Sequence, residues 1–219
     1  MDRRGNDARD KLVDSARDLF GDCGIEGASL REITRVAGQA NTSALQYHFG
    51  DRESLLDAVL EKHQVQVDAR RASLLEEFET REQTDLRGLA SVLVRPSAAM
   101  LQVEGGKAYL RIMAELIRDP ERFGRDRFGL RGSLGWWTLA AKLRIPESVS
   151  PLHRRFAAMQ LCFSELSRRA STKRRSDHRL FVSDLIDLTA GLLASPVSKE
   201  TEKLLKERDS KRSNDRVRT

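Results

Sequence analysis

Two short helical patterns separated by only two residues constrain the fold of this chain more than any other feature. Ser29 can cap the first pattern, because Glu32 follows three residues later, and Gly38 is placed to end it in a left-handed conformation. Asn41 is the N-cap candidate of the second pattern. A connection this short makes two helices cross steeply. The side of the first helix predicted to be buried consists of Leu30, Ile33, Val36 and Ala37.

The second helical pattern has two different sides. Leu45 and Phe49 are four residues apart and are expected to anchor the helix to its neighbours. The outer side carries the polar or amphipathic residues Thr42, Ser43, Gln46 and Tyr47, with His48 at the edge. A capped helix pair whose second member presents polar side chains outward is typical of a helix-turn-helix that enters the DNA major groove.

The rest of the chain also has helical periodicity, and the alternating β-branched runs that mark strands are absent. We predict an all-α protein with an N-terminal three-helix domain at 1–51 and a larger helical domain at 52–195. A helix from about Arg52 towards Glu79 joins them. Residues 196–219 are charged and poor in apolar groups, so we expect a loosely ordered tail. Further helices are predicted near 84–103, 106–118, 121–143, 148–171 and 178–194.

The net charge of +6 is not concentrated in the predicted helix-turn-helix. Residues 1–51 carry seven Lys or Arg and nine Asp or Glu, whereas 168–179 carry six Lys or Arg and one Asp. A DNA-binding face here must use a few positioned groups. The sequence has no signal peptide and no run near the ~20 apolar residues of a membrane span, so we expect a cytoplasmic protein that does not bind membranes. The spacing of Cys23 and Cys162 indicates neither a disulfide framework nor zinc, and no metal or cofactor is expected.

The run from LFGDCGIEGASLREITRVAG to YHFGDRESLLDAVL resembles the N-terminal DNA-binding domain of the TetR/AcrR family of bacterial transcriptional regulators. The resemblance covers about residues 8–62. The turn AGQAN is one residue longer than the AGVN or AGVS form common in that family. The resemblance implies a repressor that binds a palindromic double-stranded DNA operator as a homodimer. It also implies release by a small apolar or amphipathic effector, without catalysis.

The resemblance also implies roles for individual residues. Thr42, Ser43 and Gln46 would face base edges, and Gln46 is the best candidate because its amide can bond an adenine edge bidentately. Phosphate contacts are implied for five further residues, which position the protein without reading sequence. These residues are Ser29, Arg31, Tyr47, His48 and Arg52.

In the larger domain, Pro96 interrupts a helical run and is expected to bend it. Large or adaptable side chains nearby could line an effector pocket, although such a stripe is also typical of an ordinary core. The candidates are Met100, Tyr109, Met113, Leu116, Trp136 and Trp137. In the resembled family the last two helices form a four-helix dimer interface, and a buried helix in a monomer is the alternative. The dimer candidates are Phe156, Met159, Phe163, Leu185, Leu188 and Leu192.

Two other classes of protein fit parts of the sequence. Ser43 near His48, or His178 near Asp184, could be described as a nucleophile with a base. The first pair, however, is predicted on an exposed short helix, and the second lacks a Gly-rich nucleophile turn or oxyanion signature. A helical adaptor could use the basic segment KRRSDHR to hold an acidic protein or RNA. Such patch binding would lack the sequence selectivity of operator binding at fixed salt.

Overall fold

The structure is a computed structural model and describes residues 3–81, 85–119, 132–145, 152–172 and 177–217. The described residues form ten α-helices and one 3₁₀ turn, Met100–Gln102, and contain no strand. The all-α prediction is confirmed. The helices are α1 (Arg3–Cys23), α2 (Leu30–Val36), α3 (Ser43–Phe49), α4 (Arg52–Thr80), α5 (Leu86–Ala99), α6 (Gly106–Arg118), α7 (Ser133–Arg144), α8 (Arg154–Ser171), α9 (His178–Ala194) and α10 (Lys199–Val217).

Helices α1, α2 and α3 pack on one another around apolar side chains contributed by all three. The anchoring role predicted for Leu45 and Phe49 is confirmed, because only 1% and 9% of their surfaces are exposed. Val36, predicted to be buried, is 51% exposed. The buried face of α2 includes Thr34 instead, whose hydroxyl donates to the Leu30 carbonyl over 2.7 Å. The hydrogen bond satisfies the Thr34 hydroxyl, so this residue can be buried.

Helix α4 is the predicted long helix, with 29 residues and a length of about 40 Å. Asp51 caps it by accepting a hydrogen bond from the Ser54 amide over 2.7 Å. The helix contacts α1 and α3 as well as α5, α6 and α7. One continuous element therefore runs from the helix-turn-helix into the larger domain.

The larger domain packs α5 between α4 and α9, and α6 between α1 and α8. Its core contains Trp137, Tyr109 and Phe163, each at most 1% exposed. The predicted helices at 106–118 and 178–194 are confirmed, and that at 84–103 divides into α5 and the 3₁₀ turn. Residues 121–131 and 148–151, where two further helices were predicted to begin, lie outside the described residues.

The C-terminal segment differs from its prediction, because α10 is a regular helix where a loosely ordered tail was expected. Lys, Glu, Arg and Leu are good helix formers, and Glu200 and Glu202 in the first turn suit the helix dipole. Lys203 and Glu207 add an i,i+4 pair at 3.9 Å. Within the described residues no single helix is long and apolar enough to cross a membrane, and one bent pair, α9 with Lys199–Lys211, reaches the required length and composition together.

Candidate nucleic-acid interface and its connection to the larger domain

The outer face of α3 is open to solvent. Thr42, Ser43 and Gln46 are exposed, Tyr47 is 85% exposed, and His48 is partly buried beside it. The backbone N-cap is Thr42, one residue later than predicted, and its side chain makes no capping hydrogen bond. Asn41 supplies the capping acceptor instead, because its Oδ1 accepts from the Ser43 amide over 2.9 Å. The polar side chains predicted to meet DNA thus share one exposed face.

The first turn of α2 is capped by a side chain of its own segment. Ser29 Oγ accepts from the Glu32 amide over 3.0 Å, which confirms half of the predicted capping box. The Glu32 carboxylate pairs with Arg35 over 2.6 Å, and this hydrogen bond lowers the pKa of Glu32. Arg31 is exposed and forms no ion pair with the described residues. Arg31 is therefore the cation of α2 available to a phosphate.

Arg52 has an internal role that the sequence prediction did not include. Its Nη1 donates to the carbonyls of Ile25 and Ala28 over 2.6 and 2.7 Å. Its guanidinium also lies 5.9 Å from the centroid of the Phe20 ring. The side chain connects the start of α4 to the segment between α1 and α2, and the phosphate contact predicted for it stays a prediction.

Residues 12–59 match the family model described as "Bacterial regulatory proteins, tetR family". This range contains the C-terminal part of α1, all of α2 and α3, and the first turns of α4. These residues therefore form a TetR-family domain. A comparison with curated proteins gives no match.

Solved structures similar to this chain include two described as TetR-family transcriptional regulators. That from Mesorhizobium loti MAFF303099 has 16% identity and a TM-score of 0.46 over 88% of this chain and 98% of its own. That from Rhodococcus sp. has 20% identity and a TM-score of 0.40 over 94% and 98%. The RolR structure in complex with resorcinol has 17% identity and a TM-score of 0.34 over 90% and 98%. At these values the family assignment rests on residues 12–59.

The TetR-family domain is joined to the larger domain through α1 and α6. Glu115 on α6 accepts from the Ile25 amide over 3.1 and 3.2 Å, and Arg111 pairs with Asp22 over 2.7 Å. Gly21 permits this close approach, because a Cβ there would lie 2.7 Å from the Cβ of Ala108. The turn before α2 is therefore bonded directly to a helix of the larger domain.

The predicted effector region is a packed core that contains a buried polar network. Met100, Tyr109, Met113, Leu116 and Trp137 are all at most 4% exposed. The Tyr109 hydroxyl donates to Gln64 Oε1 over 2.6 Å, and burial raises its pKa. Trp136 is 61% exposed, because adjacent helical residues point in different directions, so its assignment to an interior pocket is wrong.

Arg71 is the centre of this network and was not identified from the sequence. It is 1% exposed, its Nη1 and Nη2 donate to Ser133 and Ser97 over 3.0 Å each, and Asp68 lies 3.5 Å away. Its Nε is buried without a hydrogen-bond partner, and burial lowers its pKa. The signal that could have found it is its position, four residues after Val67 on the buried side of α4.

The predicted dimer residues divide into two groups. Met159, Phe163 and Leu185 are at most 3% exposed in a single chain, so they pack inside the subunit and are wrong as interface residues. Leu188 is 51% exposed, and Phe156 and Leu192 are partly exposed. An interface built on α8 and α9 would use the second group.

The residue pairs considered for catalysis do not form a catalytic arrangement within the described residues. Ser43 and His48 lie on the exposed helix α3, and no hydrogen bond joins them. His178 and Asp184 both lie on α9 and are likewise not bonded to each other. Neither pair therefore supports a nucleophile–base mechanism.

Proposed function

We propose that this TetR-family chain is a ligand-responsive transcriptional repressor that binds a palindromic operator as a homodimer. Residues 1–51 are the proposed DNA-binding domain and 52–195 the effector-binding and dimerisation domain. The observation that carries the proposal is the exposed polar face of α3, held in place by the buried Leu45 and Phe49. Two such helices one turn of DNA apart, about 34–36 Å, would read two half-sites.

The proposed division of labour follows the chemistry of each side chain. Gln46 reads a base through its amide, with Thr42 and Ser43 contributing shorter contacts. Arg31, Tyr47 and other exposed polar groups contact phosphate and set the register of the protein on the duplex. The few cations on this surface make the affinity depend on positioned contacts more than on a broad positive field.

The proposed effector is an amphipathic small molecule. Met113, Leu116 and Trp137 offer apolar contact, and the Gln64–Tyr109 hydrogen bond and the free Nε of Arg71 offer polar contact in the same core. A ligand with one polar group on an apolar body would fit both. A ligand that binds the DNA-free state more tightly would loosen operator binding by the difference in its two affinities, typically about 1–3 kcal/mol.

The proposed dimer uses the exposed side of α9 together with α8. Leu188 carries apolar surface into solvent in the isolated chain, and Gly191, one turn beyond it, is exposed with open space around it. Small and apolar residues on one helix face suit close packing against a second copy.

The proposal is tested by comparing Gln46→Ala with Gln66→Ala, an exposed glutamine on α4 outside the helix-turn-helix. A binding site is first selected from random duplexes with the wild-type protein, and affinities are then measured by fluorescence anisotropy at fixed salt. We expect Gln46→Ala to lose about 1–3 kcal/mol of discrimination between the selected and a scrambled duplex. Gln66→Ala should behave as wild type. Equal discrimination by all three proteins would contradict the role of α3, and failure to select any sequence would contradict operator binding itself.

A further inference from the structure

A basic groove lies at the start of α9 and is lined by residues outside the buried polar network described above. Its volume is about 590 Å³, within the range of small-molecule sites. It is lined by Arg70 of α4, Arg95 of α5 and Arg179 of α9, with His178 beside them. Its remaining walls are small or apolar and include Ala98, Ala99, Leu180 and Val182.

The three guanidinium groups have no carboxylate partner among the described residues. Arg70 and Arg179 make no side-chain hydrogen bond or ion pair in the part of the chain that the structure describes. Arg95 uses only its Nε, which donates to Ser91 Oγ over 2.6 Å, and keeps both terminal nitrogens available. By contrast, Arg87 on the same helix as Arg95 is paired with Asp187 over 2.6 Å. The groove is therefore an uncompensated positive site.

Asp177, the carboxylate that lines the groove among the described residues, does not neutralise its three arginines. Asp177 Oδ1 accepts from the Arg179 and Leu180 amides over 2.8 and 3.3 Å, which satisfies the first amides of α9. The attraction for an anion thus comes from the side chains and not from the end of the helix. Guanidinium groups bind carboxylates, sulfonates and phosphates through paired, charge-assisted hydrogen bonds.

We propose that this groove binds a small organic anion, with its acidic group held by Arg95, Arg179 and Arg70 and its apolar body against Ala98, Ala99 and Val182. The volume of the groove is sufficient for a small aromatic anion. The groove is lined by residues other than those of the Arg71 network, and binding there requires neither operator recognition nor the proposed repressor role. Failure of either inference therefore leaves the other standing.

The test uses two fluorescent probes that differ in one group. 8-Anilinonaphthalene-1-sulfonate carries the anion, and N-phenyl-1-naphthylamine has the same aromatic body without it. The full chain is titrated with each probe, as wild type and as the Arg95→Gln/Arg179→Gln double variant. Both arginines are exposed, so the substitutions should leave the fold intact, which circular dichroism verifies. Arg118→Gln, an exposed arginine of α6 outside the groove, is the matched control.

We expect saturable binding of the sulfonate probe at one site per chain and at least tenfold weaker binding to the double variant, the decrease expected for a charged hydrogen bond. The neutral probe should bind wild type at least tenfold more weakly and change less than twofold in the variant. The Arg118→Gln control should match wild type. The inference is overturned if the wild type does not bind the sulfonate probe, if the double variant binds it equally well, or if both probes bind wild type with the same affinity.

Discussion

Replacing Arg52 by alanine tests whether this side chain stabilises the helix-turn-helix or holds DNA. Its Nη1 donates to two carbonyls, those of Ile25 and Ala28, which belong to the connection between α1 and α2. Both hydrogen bonds are partly buried and span more than twenty residues of sequence. Removing the side chain leaves both acceptors without this donor and detaches the start of α4 from the connection.

The magnitude follows from the type and number of these bonds. A hydrogen bond to a charged group contributes about 1.5–3 kcal/mol to stability. Here one nitrogen serves both acceptors and water can replace part of the interaction, so we expect a total decrease of about 2 kcal/mol. In a chain of this size that corresponds to a decrease in Tm of about 4–8 °C.

The assay pairs two measurements on two variants. Thermal unfolding of the full chain gives the change in Tm, and the salt dependence of operator affinity reports how many phosphates each protein neutralises. Arg31→Ala is the control, because Arg31 is exposed and has no ion pair in the described residues. We expect Arg31→Ala to keep its Tm and to reduce the slope of log affinity against log salt by about one per subunit. Arg52→Ala should lower Tm and keep the slope.

The opposite pattern would refute this account of Arg52. An unchanged Tm together with a reduced salt slope would show that Arg52 contacts phosphate, as the sequence alone suggested. A decrease in both Tm and salt slope would mean that the two Arg52 nitrogens without an internal hydrogen bond also contact DNA. Lysine is a useful third variant at this position, because it keeps the charge but cannot reproduce the fixed geometry of the guanidinium.

Three further outcomes are expected. Burial, followed by the nearby cations, lowers the pKa of His63, so the unfolded chain binds a proton there more readily than the folded chain. The free energy of unfolding should therefore fall as the pH drops below about 6.5. His63→Leu should flatten this pH dependence, and an unchanged slope in the variant would contradict the reasoning. Ellman's reagent should modify Cys23 rapidly and Cys162 only on unfolding, because Cys162 is fully buried and burial raises its pKa to about 12. Rapid modification of both thiols in the folded chain would contradict this prediction. Leu188→Glu should dissociate the proposed dimer in light scattering, whereas Leu143→Glu, at an exposed leucine of α7, should not. A dimer in both variants would place the interface elsewhere.

The helix-turn-helix was predictable because its determinants are local. Caps, stop signals and apolar spacing all lie within about twenty residues, and they identified α2, α3 and the exposed side of α3. The error at Val36 shows the limit of this approach. Whether Thr34 is buried depends on whether its hydroxyl finds an acceptor, and binary patterning treats every hydroxyl as exposed.

The interior of the larger domain was only partly predictable. The spacing of His63, Val67 and Leu75 on α4 places Arg71 on the buried face, so its burial was open to prediction. Its partners Ser97 and Ser133 lie on other helices, and no spacing within α4 can indicate them. The basic groove could not be predicted for the same reason, because its arginines come from three helices that meet only in the folded chain.

Helix α6 contacts both the TetR-family domain and the buried polar network around Arg71. Ala108, Arg111 and Glu115 recur at helical spacing along its side towards α1, where they contact the helix-turn-helix. Tyr109 is the residue next to Ala108 and joins the buried network through Gln64 of α4. A rigid helix of 13 residues cannot rotate one of these sides without displacing the other. If the proposed effector takes the place of Gln64 as the partner of Tyr109, we expect the Glu115 contact with the turn before α2 to shift, so Tyr109→Phe should change operator affinity and Glu115→Gln should change effector affinity.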